Sequence, residues 1–291
     1  MRLRSLLFVP GDSERKFEKA LDSGADVLIC DLEDSVAPTR KDMARDTVAG
    51  WIGRGLPDGP ALFIRVNPLD SGMTEADLAA VVRPGLAGIM VPKANGAQDI
   101  ATIGAMIDRL ESEAGIEPLS VRIVVVATET PAAMFALGSY APAHPRLAGL
   151  TWGAEDLGAA IGITANKEAD GSWTFPFQVA RAQCLFAAAN AGVAPIDTLY
   201  ADFRDEAGLE ADCRKARRDG FTGRIAIHPA QVATINRCFT PSDEEIAEAR
   251  KIADAFAANP DAGTLGIDGK MYDIPHLKAA HKTLAAAGEE A

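Results

Sequence analysis

Arg122-Ile-Val-Val-Val-Ala-Thr-Glu129 is an unbroken apolar run, rich in β-branched residues, that stops on a carboxylate and is followed by Thr130-Pro131. A second run, Leu147-Ala-Gly-Leu-Thr-Trp-Gly-Ala-Glu155-Asp156, has the same plan. Neither run alternates with polar residues. That pattern suits strands of a parallel sheet, covered on both faces. Each acid falls where a strand gives way to a helix. Packing explains a carboxylate there poorly, whereas a divalent cation that prefers hard oxygen donors explains it well.

Working outward, similar short runs occupy residues 5–10, 27–33, 61–67, 88–93, 197–203 and 224–229. Helical patterns lie between them at 14–23, 74–82, 97–114, 176–191 and 209–219. Several of these stop at a glycine such as Gly24, Gly115, Gly192 or Gly220, as helices commonly do. Eight strands alternating with helices predict a (β/α)8 TIM barrel over residues 1–240. A doubly wound open sheet is the alternative, but no G-x-G-x-x-G or Walker A sequence supports it. Residues 241–291 are left over and predict a C-terminal helical extension. Ser242 and Glu245 have the spacing of a capping box, with a helix to about 258, a Gly/Pro/Asp-rich loop at 259–269, and a last helix from about Pro275.

A net charge of −12 and an isoelectric point near 4.8 argue against a nucleic-acid binder, which needs a basic face. The N-terminal third still carries Arg2, Arg4, Arg15, Lys16, Lys19, Arg40 and Lys41, either a basic patch or scattered solvated charge. Cys30, Cys184, Cys213 and Cys238 form no C-x-x-C pair, which fits a reduced, cytoplasmic protein. The basic-then-apolar start is cut short by Pro10-Gly11, too soon for a signal peptide, and no run is long enough to span a membrane.

In a barrel of this kind, functional side chains sit at the C-terminal strand ends. Glu129 and Asp156 are the metal candidates, and an oxygen-only pair suits Mg²⁺ better than zinc. A cap or first-turn role is the plainer alternative for either acid, and it is most pressing for Asp156. Arg65 ends an apolar strand; it is either paired with a buried structural acid or a planar clamp for a substrate carboxylate. Glu33 and Asp34 could orient Arg65 or hold water near the ion. Asp202 falls near the seventh strand end, Lys93 follows the fourth, and His228 reads as a packed barrel histidine. No G-x-S-x-G elbow or activated cysteine context is present.

Taken together, Arg4-Ser-Leu-Leu-Phe-Val-Pro-Gly, Asp31-Leu-Glu-Asp-Ser-Val-Ala-Pro, Arg65-Val-Asn, Val91-Pro-Lys93, Glu129-Thr-Pro, Gly153-Ala-Glu-Asp156-Leu, Ile227-His-Pro-Ala-Gln and Gly269-Lys-Met-Tyr-Asp273 resemble the citrate lyase β-subunit family, within the HpcH/HpaI aldolase group. The resemblance covers nearly the whole chain in order. It implies a barrel with a C-terminal extension, assembled as a homotrimer or homohexamer. It implies that Glu129 and Asp156 bind Mg²⁺, with Glu129 beside the substrate, and that Arg65 binds the carboxylate of a 2-oxo acid. Asp273 matches the catalytic aspartate of the CoA-lyase branch, where a neighbouring subunit's C-terminal segment supplies it. Read from the residues alone, Asp273 is a helix N-cap. Tyr272 departs from the usual aliphatic residue. The implied reaction is reversible, Mg²⁺-dependent carbon–carbon cleavage of a malyl-CoA or citramalyl-CoA type ester into acetyl-CoA and a 2-oxo acid. Arg15, Lys19 and Arg40 are the candidates for the CoA phosphates. A malyl-CoA thioesterase and a citrate lyase β subunit acting on an acyl-carrier-protein thioester are the alternatives on the same scaffold.

Overall fold

A computed structural model of the chain describes residues 1–289. Eight parallel strands close into a barrel: β1 Ser5–Pro10, β2 Val27–Asp31, β3 Ala61–Arg65, β4 Gly88–Val91, β5 Arg122–Val126, β6 Leu147–Thr151, β7 Ala194–Asp197 and β8 Gly223–Ala226. β8 pairs back onto β1. The chain therefore forms the (β/α)8 TIM barrel that its alternating pattern predicts.

Side chains alternate along each strand, and the two faces divide the work. Leu6, Val27, Ile29, Phe63, Met90, Val124, Val126, Ile196 and Ile225 form one interior cluster. The intervening Leu7, Leu28, Cys30, Leu62, Ile64, Ile123 and Val125 are buried as well. Burial on both faces is why the runs lack polar alternation. Continuing the interior row two residues past Ile29 gives Asp31, and two past Phe63 gives Arg65. These two are register partners at the C-terminal ends of β2 and β3. The periodicity that fills the barrel thus also delivers charged groups to its mouth.

The helices around the strands are α1 Glu14–Leu21, α2 Lys41–Gly53, α3 Thr74–Val81, α4 Ala97–Ala114, α5 Pro131–Ala136, α6 Glu155–Ile161, α7 Phe175–Ala191, α8 Glu206–Asp219 and α9 Pro229–Phe239. α4 shows the local logic: Ile100, Ile103, Ile107 and Leu110 fall on one face and are buried, and Gly115 closes the helix. α2 had no counterpart among the expected helices.

Two expectations are corrected. The seventh strand is not 197–203 but β7, which begins two residues after Gly192 and contains Pro195. Asp197, not Asp202, is its last residue. The C-terminal segment is not wholly helical. Residues Arg237–Ala291 form a compact unit separate from Met1–Asn236, dividing inside α9 rather than after residue 240. In this unit α10 (Asp243–Ala257) and α11 (Ile274–Ala287) accompany an antiparallel hairpin, β9 Thr264–Ile267 and β10 Lys270–Asp273. The loop expected at 259–269 contains the first of these strands. Asp268 and Gly269 both have positive φ, 49° and 76°, as a two-residue type I′ hairpin turn requires. Ala249, Ile252, Phe256, Ala280 and Leu284 form this unit's own core. The Ser242–Glu245 capping box is present at the start of α10. Among the described residues no helix is long and apolar enough to cross a membrane.

Candidate active site

Arg65 makes a two-pronged contact with Asp31: Nε donates to Oδ1 and Nη2 to Oδ2, both at 2.7 Å. Its remaining terminal nitrogen, Nη1, lies 2.9 Å from Glu33 Oε2, and its guanidinium stands 4.7 Å above the Phe8 ring. Burial pushes the Asp31 carboxyl upward, but the Arg65 hydrogen bonds and charge outweigh it and hold the group below the ordinary range. The structural pairing foreseen for Arg65 is therefore real, and Asp31 is its main partner. Lys41, expected in a surface patch, is instead buried beneath these loops. Its ammonium donates to the carbonyls of Leu32 and Glu33 and to Asn67 Oδ1 at 2.6–2.8 Å. It ties the ends of β2 and β3 together.

Glu129 is 6% exposed and follows β5 by three residues. The helix-cap explanation for it fails, because Thr130 takes that role: its side chain accepts from Ala133 N at the start of α5. Glu129 Oε2 accepts from the Lys93 backbone N–H at 2.6 Å. A Cβ at Gly153 would lie 2.9 Å from Glu129 Cγ, so glycine lets the carboxylate stem lie against the loop after β6. Burial, together with the negative charges of Asp156 and Glu33, pushes the Glu129 carboxyl from the ordinary 4.5 up to about 8. Asp156 sits in the first turn of α6, as its plainer reading required, and is partly exposed.

Lys93 is the principal site residue to which the sequence reading assigned no role. Its ammonium lies 2.5 Å from Glu33 Oε1, 3.4 Å from Asp34 Oδ2 and 3.5 Å from Asp156 Oδ1. A lysine ending a barrel strand whose neighbours end in acids was the available signal.

Arg65, Glu129 and Asp156 line one cavity of about 200 Å³, walled by Trp152 and Trp173. Among the described residues no group of three or more His, Cys, Asp and Glu forms a ready metal cage. Two carboxylates nevertheless fit a hard divalent ion such as Mg²⁺, which keeps several positions for water or substrate oxygens. Glu129 is buried and faces the like charges of Asp156 and Glu33, a repulsion that an added cation would relieve.

A second cavity, of about 800 Å³, shares Phe8, Arg65 and Leu199 with the first and is lined by Lys16, Lys19 and His228. Of the three cations expected to meet CoA phosphates, only Lys19 borders it. Arg15 is exposed outside it, and Arg40 pairs with Asp12 at 3.3 Å. His228 is not a packed core residue; it is exposed and stacks on Phe203 with ring centroids 4.6 Å apart. Asp202 is exposed too and caps a turn at Arg204. Asp273 belongs to the C-terminal unit, where it N-caps α11 and pairs with the His276 ring at 2.5 Å. That hydrogen bond holds its carboxyl below the ordinary range.

The chain is 34% identical over 286 residues to a (3S)-malyl-CoA thioesterase of Cereibacter sphaeroides, covering 98% of this chain and 94% of the relative. It is 33% identical to an L-malyl-CoA/beta-methylmalyl-CoA lyase of Cereibacter sphaeroides, covering 95% and 92%. Among solved structures, the CitE protein of Mycobacterium tuberculosis in complex with magnesium, acetoacetate and coenzyme A is similar at 30% identity, with a TM-score of 0.74 and 99% of each chain covered. The sequence pattern of HpcH/HpaI aldolase/citrate lyase matches residues 4–229, the strands and loops that carry Arg65, Glu129 and Asp156. The chain belongs to the HpcH/HpaI aldolase/citrate lyase family, and with it to the lyases.

Proposed function

We propose that the protein is a Mg²⁺-dependent lyase that reversibly cleaves a malyl-CoA or citramalyl-CoA type ester into acetyl-CoA and a 2-oxo acid. The observation that carries this reading is the pair of adjoining cavities with Arg65 between them. The smaller holds two oxygen donors and a guanidinium, the chemistry that suits a 2-oxo acid. The larger offers Lys16 and Lys19 to the phosphates of a CoA ester. The relatives that act on malyl-CoA, and the similar structure containing magnesium and coenzyme A, support the same assignment.

Glu129 and Asp156 would hold the ion, and bound Mg²⁺ would supply Lewis acidity toward the oxygen of the 2-oxo acid unit. Arg65, fixed by Asp31 and resting on Phe8, orients and neutralises the substrate carboxylate. In the cleavage direction the hydroxyl gives up its proton to solvent, and the hydroxyl-bearing carbon becomes the carbonyl of the 2-oxo acid as its bond to the acetyl carbon breaks. The acetyl carbon keeps the electron pair of that bond and takes one proton in return. Family resemblance assigns this last proton transfer to Asp273. On the same grounds, the active form is a homotrimer or homohexamer.

Hydrolysis of the thioester is the second reading, favoured by the thioesterase among the relatives. Product analysis decides between them. Incubation with malyl-CoA yields glyoxylate and acetyl-CoA if the protein is a lyase, and malate with free CoA if it is a thioesterase. Activity undiminished by EDTA would overturn the metal assignment in either case.

A further inference from the structure

Lys93 is one of three non-glycine residues with positive φ among the described residues, at 52°. Such a backbone is costly for a side chain with a Cβ, so its persistence calls for a compensating role. The turn aims the two ends of Lys93 at different acids. Its N–H meets Glu129 Oε2 at 2.6 Å, and its ammonium reaches Glu33, Asp34 and Asp156. One residue therefore touches both proposed metal donors. Arg65, the other cation here, is already committed to Asp31 and Glu33.

We propose that Lys93 is a positioning residue that acts as a tethered counter-ion: it holds the acidic mouth together before the divalent cation arrives and opposes that cation's binding until a 2-oxo acid carboxylate joins it. The inference rests on the metal reading given above. A positive charge 3.5 Å from a donor oxygen of Asp156 disfavours a second, divalent charge on the same oxygens. A substrate carboxylate would add the negative charge that offsets this opposition. Metal and 2-oxo acid would therefore bind each more tightly in the presence of the other, as linkage requires.

The test is Mn²⁺ binding to the full-length protein, followed by electron paramagnetic resonance with and without pyruvate. Lys93→Met is expected to bind Mn²⁺ alone about tenfold more tightly, the size of effect a nearby charge produces in partly solvated surroundings. The enhancement that pyruvate confers on Mn²⁺ binding should shrink in the same variant. A purely structural prop would do the opposite, because a loosened Asp156 is a poorer donor. Should the lone substitution leave Glu33 unpaired and the protein unfolded, Glu33→Gln/Lys93→Met removes both charges. That double variant is compared with Glu33→Gln alone, so that only the Lys93 charge differs, and it is expected to bind Mn²⁺ several-fold more tightly than Glu33→Gln. Mn²⁺ binding unchanged or weaker in Lys93→Met relative to the wild type, or in the double variant relative to Glu33→Gln, overturns the role of Lys93 alone. A wild-type protein that binds no Mn²⁺ overturns the metal reading and this inference together.

Discussion

Two buried charge clusters sit at opposite ends of the same strands and obey opposite rules. Just before β6, Arg146 is fully buried and donates to both carboxylate oxygens of Glu111, at 2.8 and 2.5 Å, and to the Val121 carbonyl. Glu111 also accepts from the backbones of Leu119 and Val121. Burial pushes its carboxyl up, but Arg146 and these hydrogen bonds pull it below the ordinary range. At the other end, Glu129 is similarly buried, accepts one backbone hydrogen bond, faces Asp156 and Glu33, and is pushed up to about 8. In the first cluster Arg146 also donates to the largely exposed Asp108, the buried Glu111 has its cation, and the set joins the segments before β5 and β6. The second carries an excess of negative charge that packing does not explain. Barrels of this kind divide their ends this way, with stability at the N-terminal face and chemistry at the C-terminal face.

The sharpest break of this contrast is Glu129→Gln. The proposed Mg²⁺-dependent cleavage should fall by about three orders of magnitude or more, since one of the two proposed metal donors is lost. The metal-free melting temperature should stay level or rise, because a strained carboxylate is gone. A coupled acetyl-CoA assay and a thermal melt on one preparation read both. Arg146→Met should do the reverse, costing about 3–5 kcal/mol in urea unfolding because Glu111 is left buried without its cation, with turnover per folded molecule unchanged. Arg65→Lys should lower kcat/KM about a hundredfold, because a lysine cannot keep the two-pronged hold on Asp31 and still present N–H groups to the proposed substrate carboxylate, and should raise the KM for the 2-oxo acid in the condensation direction.

The pH dependence separates the clusters by sign. Between pH 4.5 and about 8 the unfolded chain has already lost the Glu129 proton while the folded chain keeps it. The native state then binds more protons, so metal-free stability falls as pH rises through this window, by up to about 1.4 kcal/mol per unit from this group. Saturating Mg²⁺ should flatten that slope. Glu111, shifted down, contributes stability that is present above its unfolded value and is lost only as pH falls through its folded one. Urea melts across pH, with and without Mg²⁺, test both signs. The smallest effect belongs to the basic surface: Arg40→Ala should change stability by less than about 0.5 kcal/mol and leave the KM for the CoA ester alone, whereas Lys19→Ala should raise that KM several-fold.

Much of the barrel was legible because buried parallel strands are local events. The runs ending at Glu129 and Asp156 carry their apolar residues, their stop and their helix start in one continuous stretch. Thr130-Pro131 even shows which residue caps α5, and so which acid is left without that excuse. β7 was misplaced because it is only Ala194–Asp197 and contains Pro195, which breaks the usual strand signature. The β9–β10 hairpin was passed over although Asp268-Gly269 spells its turn, because the surrounding Gly/Pro/Asp content reads equally as a loop. Arg15 and Lys16 are adjacent in the chain, and only placement on α1 made Lys16 rather than Arg15 line the larger cavity.

What the sequence by itself determined is the alternation of strands and helices, the capping residues, and the identity of the acids and the arginine at the strand ends. Those depend on neighbours a few residues away. What only the tertiary structure decided is how charge is shared among them. Lys93 meets Glu129 across 36 residues and Glu33 across 60, and Arg65 meets Asp31 across 34. Desolvation and Coulomb attraction act through distance in space. Closing the barrel is therefore what turns Glu111 into a carboxylate paired with its own cation and Glu129 into one pushed up by burial and neighbouring negative charge.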